Sequence, residues 1–316
     1  MERMGRMSEQ ATKKLSAFVE LARPLQWSKN GLLFAGYIFA GRLKAPMPSA
    51  AIELFAVVLA FLSFCLLSSF AYAINDLRDR ERDSHHPLKR HRPLPSGRIK
   101  SHEAILFAIL CLLFGLSLSV AVSAIMHTPT FILAAVSYPV WAISYSVLMK
   151  DIVIVDVLAV AAGFVLRVAA GCIAIGVSIS PWLLLCTLLL SLFIALCKRR
   201  HELLLLGDRA HGFRNVLPKY SPGMLDQMIA ATAAATIMAY SLYTFTAPHI
   251  LLGNSNSPWL MLTIPYVIYG MFRYMYLAYS TDVAGEPEKM LQDVPLLLTI
   301  LLWILTVIAL SFISGR

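Results

Sequence analysis

The sequence predicts an all-α integral membrane protein of about nine transmembrane helices. Hydrophobic residues make up 58% of the 316-residue chain and charged residues only 14%, which is too apolar for a soluble globular chain of this length. Apolar runs of roughly twenty residues, enough to cross a bilayer core, recur from about residue 31 to the C terminus without a soluble block between them. Lys and Arg also gather in alternate connections, as they do in polytopic proteins.

The expected spans, in order, are 29–44, 50–75, 103–126, 129–148, 151–175, 180–200, 226–247, 258–279 and 294–313. The first is shortened by Arg42 and Lys44. Residues 1–25 form a short basic segment without a signal peptide's apolar core and cleavage site, so the whole of 1–316 reads as one polytopic domain. The N terminus, residues 78–100, Lys150 and residues 198–219 gather basic residues on one side, whereas the connections around His127, 176–181 and 248–258 carry none and only Arg42, Lys44 and Arg316 dissent. That asymmetry predicts an inner (plasma) membrane protein, N-in and C-out, whose second, fourth, sixth and eighth spans end together on the cytoplasmic face.

The net charge of +9 points to anionic headgroups and phosphorylated substrates, since so apolar a chain offers no free face to nucleic acid. Cys65, Cys111, Cys172, Cys186 and Cys197 lie in apolar runs without metal-ligand spacing and read as small buried hydrophobes. No internal repeat of the kind that builds transport folds is evident.

The chemistry concentrates where the second span ends, in Asn75-Asp76-Leu77-Arg78-Asp79-Arg80-Glu81-Arg82-Asp83. On a continuous helix, offsets of three, four and seven place Asp76, Asp79 and Asp83 on one face with Asn75 one turn before Asp79. Asp76 and Asp83 would then stand roughly 10 Å apart, so two metal ions, or one with a water bridge, would join them. Mg²⁺ takes few carboxylates and fills its shell with phosphate oxygens, which makes a diphosphate the natural ligand. The alternative is a solvated helix end whose acids pair with Arg78, Arg80 and Arg82.

The following stretch, residues 84–97, holds closely spaced prolines that forbid a helix and predict a loop. Lys89, Arg90 and Arg92 can cover a phosphate from there, or they set topology and touch headgroups. His85 and His86 read as solvated loop histidines. Asp151 and Asp156 open the fifth span, and Arg167 lies too deep to pair with Asp156, at roughly 16 Å along the axis. An ionised side chain at that depth is costly and is either a phosphate ligand or half of a buried pair.

These motifs and their order resemble the UbiA superfamily of intramembrane prenyltransferases over nearly the whole chain. Arg23-Pro24-Leu25-Gln26-Trp27-Ser28-Lys29-Asn30, Lys198-Arg199-Arg200-His201-Glu202-Leu203 and the loop from Tyr279-Ser280 through Gly285-Glu286-Pro287-Glu288 are similar to its decaprenyl-phosphate phosphoribosyltransferase branch. The resemblance implies a UbiA-type bundle and a Mg²⁺-dependent enzyme that moves 5-phosphoribose from phosphoribosyl diphosphate to a polyprenyl phosphate of the bilayer, releasing diphosphate, for lipid-linked pentose and cell-envelope synthesis. Aromatic prenyltransferases of the superfamily carry a second Asp-rich motif at the end of the sixth span. Here that place is basic, which suits a donor with a diphosphate and a separate phosphate.

The site residues implied are Asn75, Asp76, Asp79 and Asp83 for the metal, the three acids also being catalytic. For substrate phosphates they are Lys29, Asn30, Lys89, Arg90, Arg92, Lys198 and Arg199. Tyr145 and Lys150 close the fourth span, where the superfamily places such residues near a diphosphate; interface anchoring is the other reading. Arg167, from its depth rather than from the resemblance, is a further candidate for a substrate phosphate or a buried pair. Two alternatives remain open: an aromatic prenyltransferase using a prenyl diphosphate, and a lipid or metabolite transporter, against which the acidic stretch lies at one face rather than at the midplane.

Overall fold

The computed structural model describes residues 2–85, 89–206, 216–246, 258–280, 290 and 292–313. His86, Pro87 and Leu88, the connection 248–257 and the loop residues 281–288 lie outside the described residues. Among those described, every regular element is helical.

Helix α1 (Glu2–Ala22) runs where the sequence reading placed only a basic segment. Its helix is amphipathic: Ala17 and Leu21 are buried with Ala73, Leu94, Ile99, Ala104 and Ala108, and Phe18 packs on Phe107. Ion pairs Lys14–Glu103 and Arg98–Glu20 fasten its outer side.

The expected first span is not one helix. After Arg23, a left-handed residue at φ 53, the chain forms a 3₁₀ segment Pro24–Leu33, a six-residue helix α2 (Phe34–Phe39) and a further 3₁₀ turn Arg42–Lys44. The cause is a very close approach to a neighbouring helix, α7 (Val155–Ala174). A Cβ on Gly171 would stand 2.1 Å from the carbonyl oxygen of Leu33, and one on Gly36 would meet Cys172 Sγ at 2.8 Å. Tight 3₁₀ winding lets the backbone lie against that helix, and small residues permit it.

Helix α3 (Ser49–Arg78) is followed, after a break at Asp79, by the short α4 (Arg80–Ser84). The remaining helices are α5 (Ser101–Met126), α6 (Thr130–Ser144), α8 (Pro181–Leu206), α9 (Pro222–Thr246), α10 (Ile264–Ser280) and α11 (Val294–Ile313). Among the described residues six helices, α3, α5, α6 with its continuation to Met149, and α7 to α9, are long and apolar enough to cross a membrane, and Val294–Leu310 is a shorter apolar helix.

On α5 small residues are turned inward and large ones outward. Along α5 the inward residues are Ala104, Ala108, Cys111, Gly115, Ser119 and Val122, while Leu106, Leu113 and Phe114 face outward. Such a pattern suits lipid, where close backbone contact replaces hydrophobic burial as the driving force. Four of the cysteines are fully buried and Cys186 is half-buried, all as free thiols. Two large apolar clusters result. One joins α3, α5, α6 and the 3₁₀ segment, the other joins α8 to α11, and α7 contributes to both.

Candidate functional site

The ends of α3, α6, α8 and α10 meet at one end of the bundle, as the alternation of basic connections predicts. Ser146 Oγ donates to Asn75 Oδ1 at 2.5 Å, Arg199 reaches Tyr145 Oη at 3.4 Å, and Arg200 stacks on the Tyr279 ring at 3.8 Å. Asp226, on α9, accepts from both Arg200 and Tyr279.

Asp76 is 2% exposed and Asp83 3%, and both meet cations. Arg23 Nη2 lies 2.5 Å from Asp76 Oδ1. Arg92 Nη1 lies 3.3 Å from that same oxygen and 2.7 Å from Asp83 Oδ2. One nitrogen touching both acids puts the two oxygens no more than about 6 Å apart. Seven residues rise roughly 10 Å along a helix axis, and the side chains narrow that gap where both carboxylates reach Arg92, with Asp79 at φ −90 and ψ 7 marking the break between α3 and α4.

Asp79 pairs with Lys150, whose Nζ is 3.0 Å from Oδ1 and 3.2 Å from Oδ2. Lys150 ends a π-helical turn, Tyr145–Met149, closed by the Lys150 N–H bonding to the Tyr145 carbonyl at 3.0 Å. The widened turn carries Ser146 to Asn75 and Lys150 to Asp79 together, and Arg78 in return donates to the Ser146 carbonyl. Single π turns are frequent at functional sites because they re-aim side chains in this way.

Lys89 lies 4.0 Å from Asp83. Partial burial holds its ammonium below the usual lysine range; Asp83 opposes this, and Arg92 and Lys198 add to it. Lys89 thus lies within electrostatic reach of both the acids and Lys198 on α8. Arg90 is exposed and donates to His91, and among the described residues His85 bonds Glu81 and Ser84 in its own turn.

Three further expected residues, Arg199, Lys29 and Asn30, have fixed partners. Arg199 is 3% exposed; its Nε donates to Asp156 Oδ2 at 2.7 Å and its Nη1 to Glu202 at 2.6 Å. Tyr220 donates to the other Asp156 oxygen at 2.6 Å and accepts from the Ile154 N–H at 2.7 Å. Burial, then the hydrogen bond to Asp156, pushes the Tyr220 hydroxyl above the usual phenol range. That bond also anchors Ile154 at φ 69, a costly backbone for a β-branched residue. Lys29 bonds Gln26 within the 3₁₀ segment. Asn30 is fully buried and accepts from Arg167 Nε at 2.8 Å.

Sequence reasoning did not single out Arg23, Tyr138, Ser146 or Tyr220 as site residues. Arg23 stood in a quoted motif and carried a signal. Nothing in the local pattern marks Tyr138 or Ser146, whose partners are about seventy residues away in the chain.

The UbiA prenyltransferase family matches residues 32–301. The chain belongs to the UbiA family. Among its relatives, a decaprenyl-phosphate phosphoribosyltransferase of Mycobacterium tuberculosis is 32% identical over 299 residues, covering 93% of each chain. Another of that name, from Corynebacterium glutamicum, is 30% identical over 298 residues, covering 93% of this chain and 86% of its own. The fold is that of a UbiA homologue of Archaeoglobus fulgidus solved with GPP and Mg²⁺, at TM-score 0.69 and 21% identity, over 95% of this chain and 99% of that one. The acidic end of α3 and the basic end of α8 are linked through the π turn between them, whose Ser146 and Lys150 meet Asn75 and Asp79 and whose Tyr145 meets Arg199.

Proposed function

We propose that this UbiA-family transferase moves 5-phosphoribose from phosphoribosyl diphosphate to a polyprenyl phosphate and releases diphosphate at the cytoplasmic face of the plasma membrane. The observation that carries the reading is the pairing of one acidic helix end, Asp76–Asp83, with a basic α8 end at Lys198–Arg200 in place of a second acidic motif. The named relatives support it.

A metal fits the acids present. No three His, Cys, Asp or Glu side chains converge among the described residues, but Mg²⁺ needs only one or two carboxylates when phosphate oxygens and water complete its shell. Asp76 and Asp83 flank one point already reached by a guanidinium nitrogen, Asp79 is adjacent, and Asn75 offers an amide oxygen. Bound among them, Mg²⁺ would neutralise charge on the departing diphosphate.

The chain's own groups do the rest. Arg23, Arg92, Lys89 and Lys150 already surround the acids and are placed to share the diphosphate's oxygens, with charge-assisted hydrogen bonds that strengthen as the leaving group gains charge. Lys198 and Lys29 extend the positive field toward a second phosphate. Positive character develops at the ribose anomeric carbon as its bond to diphosphate breaks. A phosphate monoester of the lipid is already an anionic nucleophile, so no general base is required. Arg199, fully engaged with Asp156, Glu202 and Tyr145, acts as a positioning residue for the π turn.

The purified enzyme tests this through diphosphate release. Release should require both phosphoribosyl diphosphate and a polyprenyl phosphate. Turnover only with a prenyl diphosphate and an aromatic acceptor would replace the reading with aromatic prenylation.

A further inference from the structure

Arg167 is 5% exposed in the middle of α7, and its guanidinium is held by neutral acceptors alone among the described residues. Nε donates to Asn30 Oδ1 at 2.8 Å, Nη1 to the Gly163 carbonyl at 2.8 Å and Nη2 to the Tyr138 hydroxyl at 2.6 Å. The Tyr138 ring lies 4.5 Å from its Cζ and the Phe164 ring 5.4 Å.

The contrast with Arg199 is informative. That arginine, equally buried, is built with Asp156 and Glu202, as a structural cation in an apolar interior must be. Neutral acceptors orient a guanidinium without cancelling its charge, and an uncancelled charge at this depth is costly enough to mark a ligand site. Three of its five N–H groups are engaged. Each terminal nitrogen keeps one N–H with no acceptor among the described residues, and such donors suit the oxygens of a phosphate.

Ser68 fixes the depth, since its hydroxyl touches Asn30 at 3.3 Å and Tyr138 at 3.2 Å, both partners of Arg167. On α3 it precedes Asp76 by eight residues, about 12 Å at 1.5 Å per residue. A diphosphate held by Asp76 and Asp83 does not extend so far, but a second phosphate on the reacting molecules does.

We propose that Arg167, oriented by Asn30 and Tyr138, is a second and buried anion subsite that takes a phosphate monoester while the diphosphate occupies the acidic cluster. This deepens the phosphoribosyl-transfer reading and rests on it for the substrates concerned. The monoester is either the 5-phosphate of the donor or the phosphate of the lipid acceptor.

Two measurements on detergent-purified wild type, Arg167→Gln and Arg167→Lys test it. In the first, inorganic phosphate without metal is titrated against thermal unfolding. The wild type should be stabilised, Arg167→Gln should lose most of that shift and Arg167→Lys should keep part of it. In the second, KM is measured for each substrate. Arg167→Gln should raise one of the two KM values by about ten- to hundredfold and leave the other. A rise for phosphoribosyl diphosphate assigns the 5-phosphate, and a rise for polyprenyl phosphate assigns the lipid. If Arg167→Gln does not fold, Arg167→Lys carries both comparisons. Phosphate shifts and KM values equal to wild type in a folded variant overturn the subsite. Should phosphoribosyl diphosphate prove not to be a donor, the functional reading fails alone, because the phosphate titration needs no turnover.

Discussion

Lys150 Nζ stands 3.0 and 3.2 Å from the two carboxylate oxygens of Asp79, so the π turn of one helix and the acidic end of another meet at a single partly buried ion pair. Both groups face the same proposed diphosphate. Lys150→Met and Asp79→Asn should each lower kcat/KM strongly. The double variant should lose less than the product of the two, by a coupling of about 0.5–3 kcal/mol. A double-mutant cycle on initial rates measures this, and strictly additive losses would show that the two act independently.

Arg199 and Asp156 are buried together, and removing the guanidinium takes away the buried countercharge of Asp156 and leaves it with the neutral Tyr220 hydroxyl. Arg199→Met should therefore cost about 3–5 kcal/mol of stability, seen as a lower unfolding temperature in detergent. If Arg199→Met were fully stable with a raised KM for a phosphorylated substrate, Arg199 would be a ligand-binding residue.

Tyr220 gives a pH dependence. Its hydroxyl is raised above the ordinary phenol value of 10.0 by burial and by donating to Asp156, so the folded protein holds that proton more tightly than the unfolded chain. The associated stability is complete below pH 10 and declines as pH rises above it. Tyr220→Phe should lose about 1–3 kcal/mol at neutral pH and flatten the alkaline decline. Parallel wild-type and variant curves above pH 10 would contradict this.

Gly171 and Gly31 make a paired test of the broken first span. A Cβ at Gly171 collides with the Leu33 carbonyl, whereas nothing lies within 4 Å of one at Gly31. Gly171→Val should abolish the yield of folded protein, and Gly31→Ala should leave that yield near wild type. Equal yields of the two variants would mean that the 3₁₀ segment does not need its close seat on α7.

The sequence made the membrane class legible because long apolar runs have few other fates, and basic residues placed α3, α6, α8 and α10 at a common end. The spacing of Asp76, Asp79 and Asp83 marked the acidic cluster. Geometry was harder to read. The turn at Asp79 follows from no single residue's propensity, and the bridging by Arg92 depends on a proline-rich loop folding back. The breaking of the first span depends on Gly171, about 140 residues further along the chain than Leu33. Arg167 was visible as costly, yet whether an acid balanced it depended on neighbours brought from Asn30 and Tyr138.

The central claim is tested most directly by label transfer. The purified chain is given phosphoribosyl diphosphate labelled in the ribose, a polyprenyl phosphate and Mg²⁺, beside an Asp79→Ala variant and an EDTA control. The account predicts label in the organic phase with the wild type and none in either control. Label that stays in the aqueous phase, while a prenyl diphosphate is consumed in the presence of an aromatic acceptor, would contradict it.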